Sequence, residues 1–138
     1  MFNCLNYSVV ERKNPKCPDK EGKFYAQFQS RGVLESKELI EKIDRNCYVG
    51  KPDIVAVLMT LEDVVAEALC DGYIVRIGEL GSLSMTISSD GCDRKDDFCS
   101  KHITKVKTLF KDGKTIKHSI RKLTFKKVEQ KYSPVPAI

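Results

Sequence analysis

The residues best suited to chemistry in this chain are lysines that recur towards its C-terminal end. Residues 101–138 contain 11 Lys/Arg and 2 Asp/Glu, a net charge of +9, whereas residues 1–100 contain 13 Lys/Arg and 17 Asp/Glu, a net charge of −4. A basic segment on an otherwise slightly acidic chain is the charge pattern of a protein that binds a polyanion. A solvated, charge-biased terminal face would give the same pattern, so charge alone leaves both interpretations open.

Three of these lysines have the spacing of one strand face. Lys105, Lys107 and Lys111 occupy odd positions in a stretch that alternates in hydrophobicity. Because successive strand residues point to opposite faces, the three lysines should share one face, while Val106 and Phe110 point to a core. Such a face could bind phosphates by displacing condensed counterions. The full set of candidate phosphate-binding residues is Arg76, Arg94, Lys95, Lys101, Lys105, Lys107, Lys111, Lys114 and Lys117.

Cysteine and histidine supply the other chemistry to consider. The six cysteines include no C-x-x-C pair. Cys92, Cys99 and His102 could bring metal ligands together, but a zinc site normally needs a fourth ligand and tighter pairs. We therefore expect free thiols, with no metal and no cofactor. Neither His102 nor His118 has a Ser or Cys partner at a catalytic spacing, and no phosphate-cradling glycine-rich loop occurs, so an enzyme is not expected.

Two strand-like stretches form an N-terminal extension over residues 1–33. They are LNYSVVERK and KFYAQFQSR, and the NPKCPDKEGK segment between them supplies turn residues. In the second stretch Phe24, Ala26 and Phe28 share one face, so at least one face of this strand should be buried.

Two helices are predicted to follow, over residues 35–47 and 52–70. Pro52 suits the first turn of the second helix, and Gly72 suits a left-handed cap at its end. The second helix carries an apolar stripe that is wider than packing against a single partner surface would require. A helix that packs on its own domain and is also buried in a dimer would have this stripe. Its members are Ile54, Val57, Leu58, Leu61, Val64, Val65, Ala68 and Leu69.

The rest of the chain alternates between strand and turn patterns. The predicted segments are two strand pieces around a glycine turn (73–88), a polar loop or flexible arm (89–103), a strand (104–111), a short helix (112–123) and a last strand (124–131). The resulting order is β-β, α-α, β-β-arm-β, α, β. It predicts a mixed α+β fold in which a helix pair packs against an antiparallel sheet.

From residue 36 onward this order resembles the HU and integration-host-factor family of bacterial histone-like proteins. The helix pair carries part of the resemblance. GYIVRIGELGSLSMTIS is similar to the family's strand segment with its G-x-G turn, and LFKDGKTIKHSI is similar to its F-x-x-G-K signature and closing helix. The resemblance covers about residues 36–123, and the flanking strands look like additions of an extended branch. The matching positions are Gly78, Gly81, Leu83, Phe110, Gly113 and Lys114.

The resemblance implies a domain organisation and a function. The expected organisation is an N-terminal extension (1–33), an HU-like DNA-binding domain (34–131) and a tail (132–138). The family fold is an intertwined dimer with helices beneath a saddle of strands and a β-arm from each subunit. We expect a homodimer, with a heterodimer possible, that binds double-stranded DNA through its backbone. The implied role is that of a nucleoid-associated architectural protein that condenses DNA. None of the predicted helices is rich in Arg, Asn or Gln, so the sequence gives no sign of base-specific readout.

The predicted arm departs from the family pattern. Family arms carry an Arg-Asn-Pro segment whose proline wedges between bases. Here SSDGCDRKDDFCSKH contains no proline and has a net charge of −1. Phe98 is the one plausible substitute wedge, and we expect it to pack back on its own domain. Strong DNA bending is therefore not expected. The alternative function is an HU-like dimer that has lost strong DNA binding and serves as a protein-interaction module.

The sequence also bears on where the protein acts. No stretch approaches the roughly 18 consecutive apolar residues of a membrane helix. The first residues, MFNCLNYSVVERKNPKC, lack the basic and then apolar pattern of a signal peptide. We expect a cytoplasmic location at the bacterial nucleoid, with no membrane or small-molecule partner.

Overall fold

The structure is a computed structural model that describes residues 3–129. These residues divide into two compact units, one made of the chain up to Glu35 with the segment from Ile120 onward, the other of Ser36–Ser119. The predicted order of helices and strands is confirmed, and the fold is mixed α+β. The predicted tail, 132–138, lies outside the described residues. In chain order the elements are β1 Cys4–Arg12, β2 Lys23–Gln29, α1 Ser36–Asn46, α2 Lys51–Cys70, β3 Val75–Ile77, β4 Gly81–Ser89, β5 Ile103–Asp112, α3 Lys114–Ile120 and β6 Thr124–Lys127.

The first unit contains a three-stranded sheet in the order β2-β1-β6. β2 runs antiparallel to β1, and β6 runs parallel to it. Backbone hydrogen bonds close both ends of the parallel pair, because the Thr124 amide donates to Asn3 and the Val128 amide to Tyr7, each at 2.8 Å. β6 therefore groups with the N-terminal strands, whereas the sequence placed this segment with the HU-like domain. The two strands are more than a hundred residues apart in the sequence, so no local pattern could predict that they pair.

The two faces of this sheet differ in an unusual way. The predicted alternation is confirmed, since Phe24, Ala26 and Phe28 lie on one face. Phe24 and Phe28 are nevertheless 70% and 63% exposed. The opposite face is the better covered one: Ser8 is 2% exposed and accepts a hydrogen bond of 2.8 Å from the Gln29 side-chain amide. Phe24 and Phe28 thus lie on the more exposed face of this sheet.

The second unit begins with the helix pair, and α2 ends as predicted. Gly72 adopts φ 90°, which glycine tolerates without a Cβ clash. The Gly72 amide donates to Leu69 and the Tyr73 amide to Ala68, both at 3.0 Å, which is the Schellman arrangement. α1 packs against α2, and α2 contacts β3 and β4. Ile54 and Leu69 are the buried hydrophobic residues of the described chain, whereas Val57, Leu61 and Val64 of the apolar stripe remain exposed.

The second sheet has the order β3-β4-β5, with antiparallel pairing throughout. Two glycines bring its turns together. A Cβ on Gly81 would lie 2.5 Å from the Lys111 carbonyl oxygen and 2.5 Å from the Phe110 ring. A Cβ on Gly113 would collide with the backbone of Glu79, and the Gly113 amide donates to Leu80 at 2.8 Å. These close approaches hold the turn before β4 against the end of β5.

Candidate nucleic-acid interface

The sheet of the second unit has one polar face and one apolar face. Lys105, Lys107 and Lys111 are paired with Ser88, Thr86 and Ser82 of β4, so the three lysines share a face as the spacing predicted. Val106 and Phe110 lie on the other face, where they are paired with Ile87 and Leu83. We call the polar side the basic face. It consists of Arg76, Ser82, Ser84, Thr86, Ser88, Lys105, Lys107, Leu109 and Lys111.

Arg76 joins this face from the third strand. It is the direct partner of Ser82 on β4, and Ser82 is in turn the direct partner of Lys111 on β5. Since paired residues in adjacent strands point to the same side, the guanidinium and the Lys111 ammonium lie on one face. The sequence prediction placed Arg76 in the same set without a register to support it.

The alternation of β5 is intact where the lysines lie. The register shifts between Ser88 and Ser89, because Ser88 pairs with Lys105 and Ser89 with Ile103. The extra residue is Thr104, whose hydroxyl donates to the Ser88 carbonyl at 3.3 Å. This bulge precedes Lys105, so it moves none of the three lysines off the basic face.

In the second unit, the charge on one face of the sheet differs in sign from the net charge of the whole unit. Residues 36–119 contain 13 Lys/Arg and 14 Asp/Glu, a net charge of −1. In β3, β4 and β5, however, the four basic side chains lie on the basic face, and Asp112 lies on the apolar face. Because salt screens charges beyond about 10 Å at 0.1 M, the local sign of a face matters more than the unit's total. The basic face can therefore attract phosphates although its unit is slightly acidic.

Hydroxyl groups on β4 complete this face, and the sequence analysis missed them. Ser82, Ser84, Thr86 and Ser88 alternate with apolar residues and so point to the same side as the lysines. Serine and threonine hydroxyls are common donors to phosphate oxygens. The S-x-S-x-T-x-S spacing within GSLSMTISS was the available signal.

The remaining predicted residues lie on other elements. Lys114 and Lys117 belong to α3, where a separation of three residues places them on one side of the helix. Arg94, Lys95 and Lys101 lie in the segment between β4 and β5, which contains the two short 3-10 turns Lys95–Asp97 and Ser100–His102. The strand register that unites Arg76 with the β5 lysines does not extend to these five.

The segment between β4 and β5 has its own local structure. Its ends meet where the Asp90 amide donates to the His102 carbonyl at 2.9 Å. The Cys99 amide donates to His102 Nδ1 at 3.1 Å, and the Cys99 Sγ lies 3.5 Å from the same nitrogen. Phe98 stacks on His102 with ring centroids 5.2 Å apart and stays 43% exposed. Phe98 therefore packs against a residue of its own arm.

Between residues 3 and 129, no group of three or more His, Cys, Asp or Glu side chains could hold a metal ion. The six cysteines are free thiols. In the same part of the chain, none of the helices has the length and apolarity to cross a membrane.

Comparison with known proteins identifies a solved structure with a similar fold and a family to which the sequence matches. The chain resembles a crystal structure of a candidate bacterial DNA-binding protein from Bacteroides vulgatus ATCC 8482, with a TM-score of 0.66 and 17% sequence identity. The match covers 94% of this chain and 50% of that one, so the chain spans about half the length of its solved relative. No curated protein matches. Residues 4–127 match the family described as an HU domain fused to wHTH, Ig, or Glycine-rich motif. The resemblance to HU proteins is thereby confirmed, and the chain belongs to this HU-HIG family.

Proposed function

We propose that the protein binds double-stranded DNA through its backbone phosphates, with little sequence specificity, as an architectural protein of the bacterial nucleoid. The observation that carries the proposal is the basic face, on which Arg76, Lys105, Lys107 and Lys111 lie together without a carboxylate. Membership of the HU-HIG family and a fold shared with a candidate DNA-binding protein support it.

Binding would draw on two kinds of group. The four cations would release counterions from DNA, which supplies most of the sequence-independent affinity. The hydroxyls of Ser82, Ser84 and Thr86 would donate to phosphate oxygens between the cations. Neither kind of contact distinguishes one base pair from another, so sequence specificity should be low. Lys114, Lys117, Arg94, Lys95 and Lys101 are proposed as secondary contacts from α3 and the arm.

A homodimer is part of the proposal, and exposed apolar surface supports it. One side of α2 forms an open groove of about 420 Å³, lined by Ala56, Val57, Thr60, Leu61 and Val64. The Thr60 hydroxyl donates to the Ala56 carbonyl at 2.8 Å, which leaves its methyl group to the groove. Val57 and Val64 are 65% and 56% exposed. Exposed apolar surface on this scale marks an association site.

The apolar face of the second sheet adds to this surface. Ile87 is 65% exposed and its partner Val106 54%. A second copy that covered the helix groove and this face would bury them and leave the basic faces of both copies on the outside. Two basic faces double the number of phosphate contacts, which is how a slightly acidic unit could reach useful affinity.

Strong bending is not part of the proposal. The arm residues 90–102 include four aspartates, and their one large apolar side chain, Phe98, already stacks on His102. A kink requires an apolar wedge between base steps. We propose binding along the duplex without that wedge.

The experiment is fluorescence anisotropy of the purified protein with a labelled duplex of about 30 base pairs at several salt concentrations. The expected result is micromolar or tighter binding that weakens steeply with salt and is abolished by Lys105→Glu/Lys107→Glu/Lys111→Glu. The matched control is Lys37→Glu/Lys42→Glu/Lys51→Glu, which makes the same charge change on exposed positions of the helix pair. It should bind within a few-fold of the unmodified chain.

Two results would count against the proposal. One is no binding even at low salt, which would leave the HU-like unit as a module for protein partners. The other is an equal loss of affinity in both triple variants, since net charge rather than the basic face would then govern binding.

A further inference from the structure

The small sheet of the first unit exposes an aromatic face that the proposed duplex binding does not use. We define the aromatic face by the cross-strand register of β2, β1 and β6. Tyr7 lies directly opposite Phe28, and Leu5 lies directly opposite Phe125. Phe24, Phe28 and Phe125 are 70%, 63% and 69% exposed. The apolar members of the aromatic face are Leu5, Tyr7, Val9, Phe24, Ala26, Phe28 and Phe125, and its charged members are Glu11 and Lys127.

This exposure requires an explanation in terms of binding. Burying a phenylalanine side chain is worth about 1.5–3 kcal/mol, so three outward rings on one small sheet forgo a large stabilisation. The opposite face of the same sheet carries Ser8 at 2% exposure. Large apolar side chains that are exposed together on one face mark a surface that meets a partner.

The geometry of the face suits flat rings. Tyr7 and Phe28 are direct cross-strand neighbours, whose Cβ atoms lie about 5 Å apart. Phe24 and Phe28 are separated by four residues of β2, about 13 Å along the strand. Leu5, Tyr7, Ala26, Phe28 and Phe125 line an open depression of about 530 Å³ with Asn6. Exposed aromatic residues on a sheet can each stack one nucleobase, about two or three in all on a platform of this kind.

Charge indicates which partner fits. The first unit, residues 1–35 and 120–138, contains 11 Lys/Arg and 5 Asp/Glu, a net charge of +6, against −1 for the second unit. Eight of its 11 cations are lysines. Lysine is depleted at protein–protein interfaces, whereas sites for single-stranded nucleic acid combine positive charge with stacking aromatic side chains. On the aromatic face itself, Lys127 lies directly opposite Tyr7, and Glu11 lies directly opposite Phe24.

We propose that the aromatic face binds single-stranded DNA by stacking its unpaired bases on Tyr7, Phe24, Phe28 and Phe125, with Lys127 on a phosphate and the net positive charge of the first unit favouring the strand. Among the described residues, the polar groups on this face are those of Glu11, Lys127 and Tyr7, and Asn6 adds to the lining of the depression. These are few groups for reading base edges or a 2′-hydroxyl. Binding is therefore tolerant of base sequence. The site is separate from the basic face and does not depend on duplex binding.

The test measures the anisotropy of a labelled oligo-dT of about 20 nucleotides with the full chain that carries Lys105→Glu/Lys107→Glu/Lys111→Glu. This background removes the proposed duplex face, so the two proposals can fail separately. Oligo-dT should still bind, and an abasic strand of equal length should bind at least tenfold more weakly. Phe24→Ala and Phe28→Ala should each weaken binding about fivefold or more, the low end of alanine effects on stacked bases.

Controls separate stacking from folding and from apolar packing. Tyr25→Ala removes an aromatic ring from the opposite face of the same strand and should leave binding unchanged. Phe24→Leu keeps an apolar side chain without a π face, and should bind as weakly as Phe24→Ala. Thermal unfolding followed by circular dichroism verifies that each variant is folded, and the leucine variant carries the test if the alanine variant is not.

Four outcomes would overturn the proposal. They are no binding of oligo-dT, equal binding of the abasic strand, ring variants that bind normally, and tighter binding of oligo-U, which would assign the face to RNA. A fifth is a change of molecular mass in the ring variants by light scattering. That result would show that a second copy of the chain covers the aromatic face.

Discussion

Arg76 and Lys111 lie on the same face of the sheet on either side of Ser82, which is the direct cross-strand partner of both. Neighbouring strands are about 4.8 Å apart, so the two side chains start about 10 Å from one another. Their elements are joined by the two close glycine contacts at Gly81 and Gly113. The relationship suggests that one phosphate strand can be contacted from two strands of the sheet at once.

The salt dependence of duplex binding tests this pair. If Arg76 and Lys111 each contact one phosphate, Arg76→Ala and Lys111→Ala should each reduce the slope of log K against log salt by about 0.9. The double variant should reduce it by about twice as much. Lys51→Ala, at an exposed position on α2, should leave the slope unchanged. An unchanged slope in the double variant would remove both residues from the interface.

Gly81 packs so closely against β5 that adding a side chain there should have a large effect on stability. A Cβ at Gly81 would meet both the Lys111 carbonyl oxygen and the Phe110 ring at 2.5 Å. Gly81→Ala should therefore lower the free energy of unfolding by about 1–3 kcal/mol, as overpacking does. Chemical denaturation followed by circular dichroism measures this change.

Gly91 is the matched control for that substitution. A Cβ at Gly91 has nothing within 4 Å, and its backbone is not left-handed. Gly91→Ala should change the free energy of unfolding by less than about 1 kcal/mol, and in the stabilising direction if at all. Equal losses in the two variants would contradict the close approach at Gly81.

The α2 groove predicts how the chain associates. Val57→Asp places a carboxylate in the groove, which a dimer would have to bury without a partner. Val57 is 65% exposed in the single chain, so the variant should fold but elute at the 15.6 kDa chain mass instead of twice that value. Multi-angle light scattering measures the mass.

Ala66→Asp serves as the control, because residue 66 lies nine positions beyond Val57, on the opposite side of the helix, and is exposed. This variant should keep the mass of the unmodified chain. If both variants associate normally, the groove is not the dimer interface.

The acidic arm should weaken duplex binding. Asp96 and Asp97 share a 3-10 turn with the proposed contact Lys95, and the proposed contact Arg94 directly precedes that turn. Asp96→Asn/Asp97→Asn removes repulsion from phosphates, so affinity should rise several-fold at low salt and the gain should fade as salt increases. Asp63→Asn on α2 is the control, measured by the same anisotropy titration. A gain that persists at high salt would exclude the electrostatic explanation.

Local patterns in the sequence were enough to predict much of the HU-like unit. The apolar stripe of α2, the cap at Gly72 and the alternation of β5 each depend on residues a few positions apart. Backbone geometry repeats over that range, so spacing determines which side chains share a side. The shared face of Lys105, Lys107 and Lys111 could therefore be predicted from their spacing, and the resemblance to the family followed from the same patterns.

The tertiary structure decided what depends on distant pairing. The addition of β6 to β1, the position of Arg76 beside Lys111, and the outward orientation of Phe24 and Phe28 come from contacts between segments far apart in sequence. A period-two pattern shows which side chains share a face, but it does not show which face is covered, because coverage depends on what the rest of the chain supplies. For this protein the sequence determined the faces, and the fold determined their exposure.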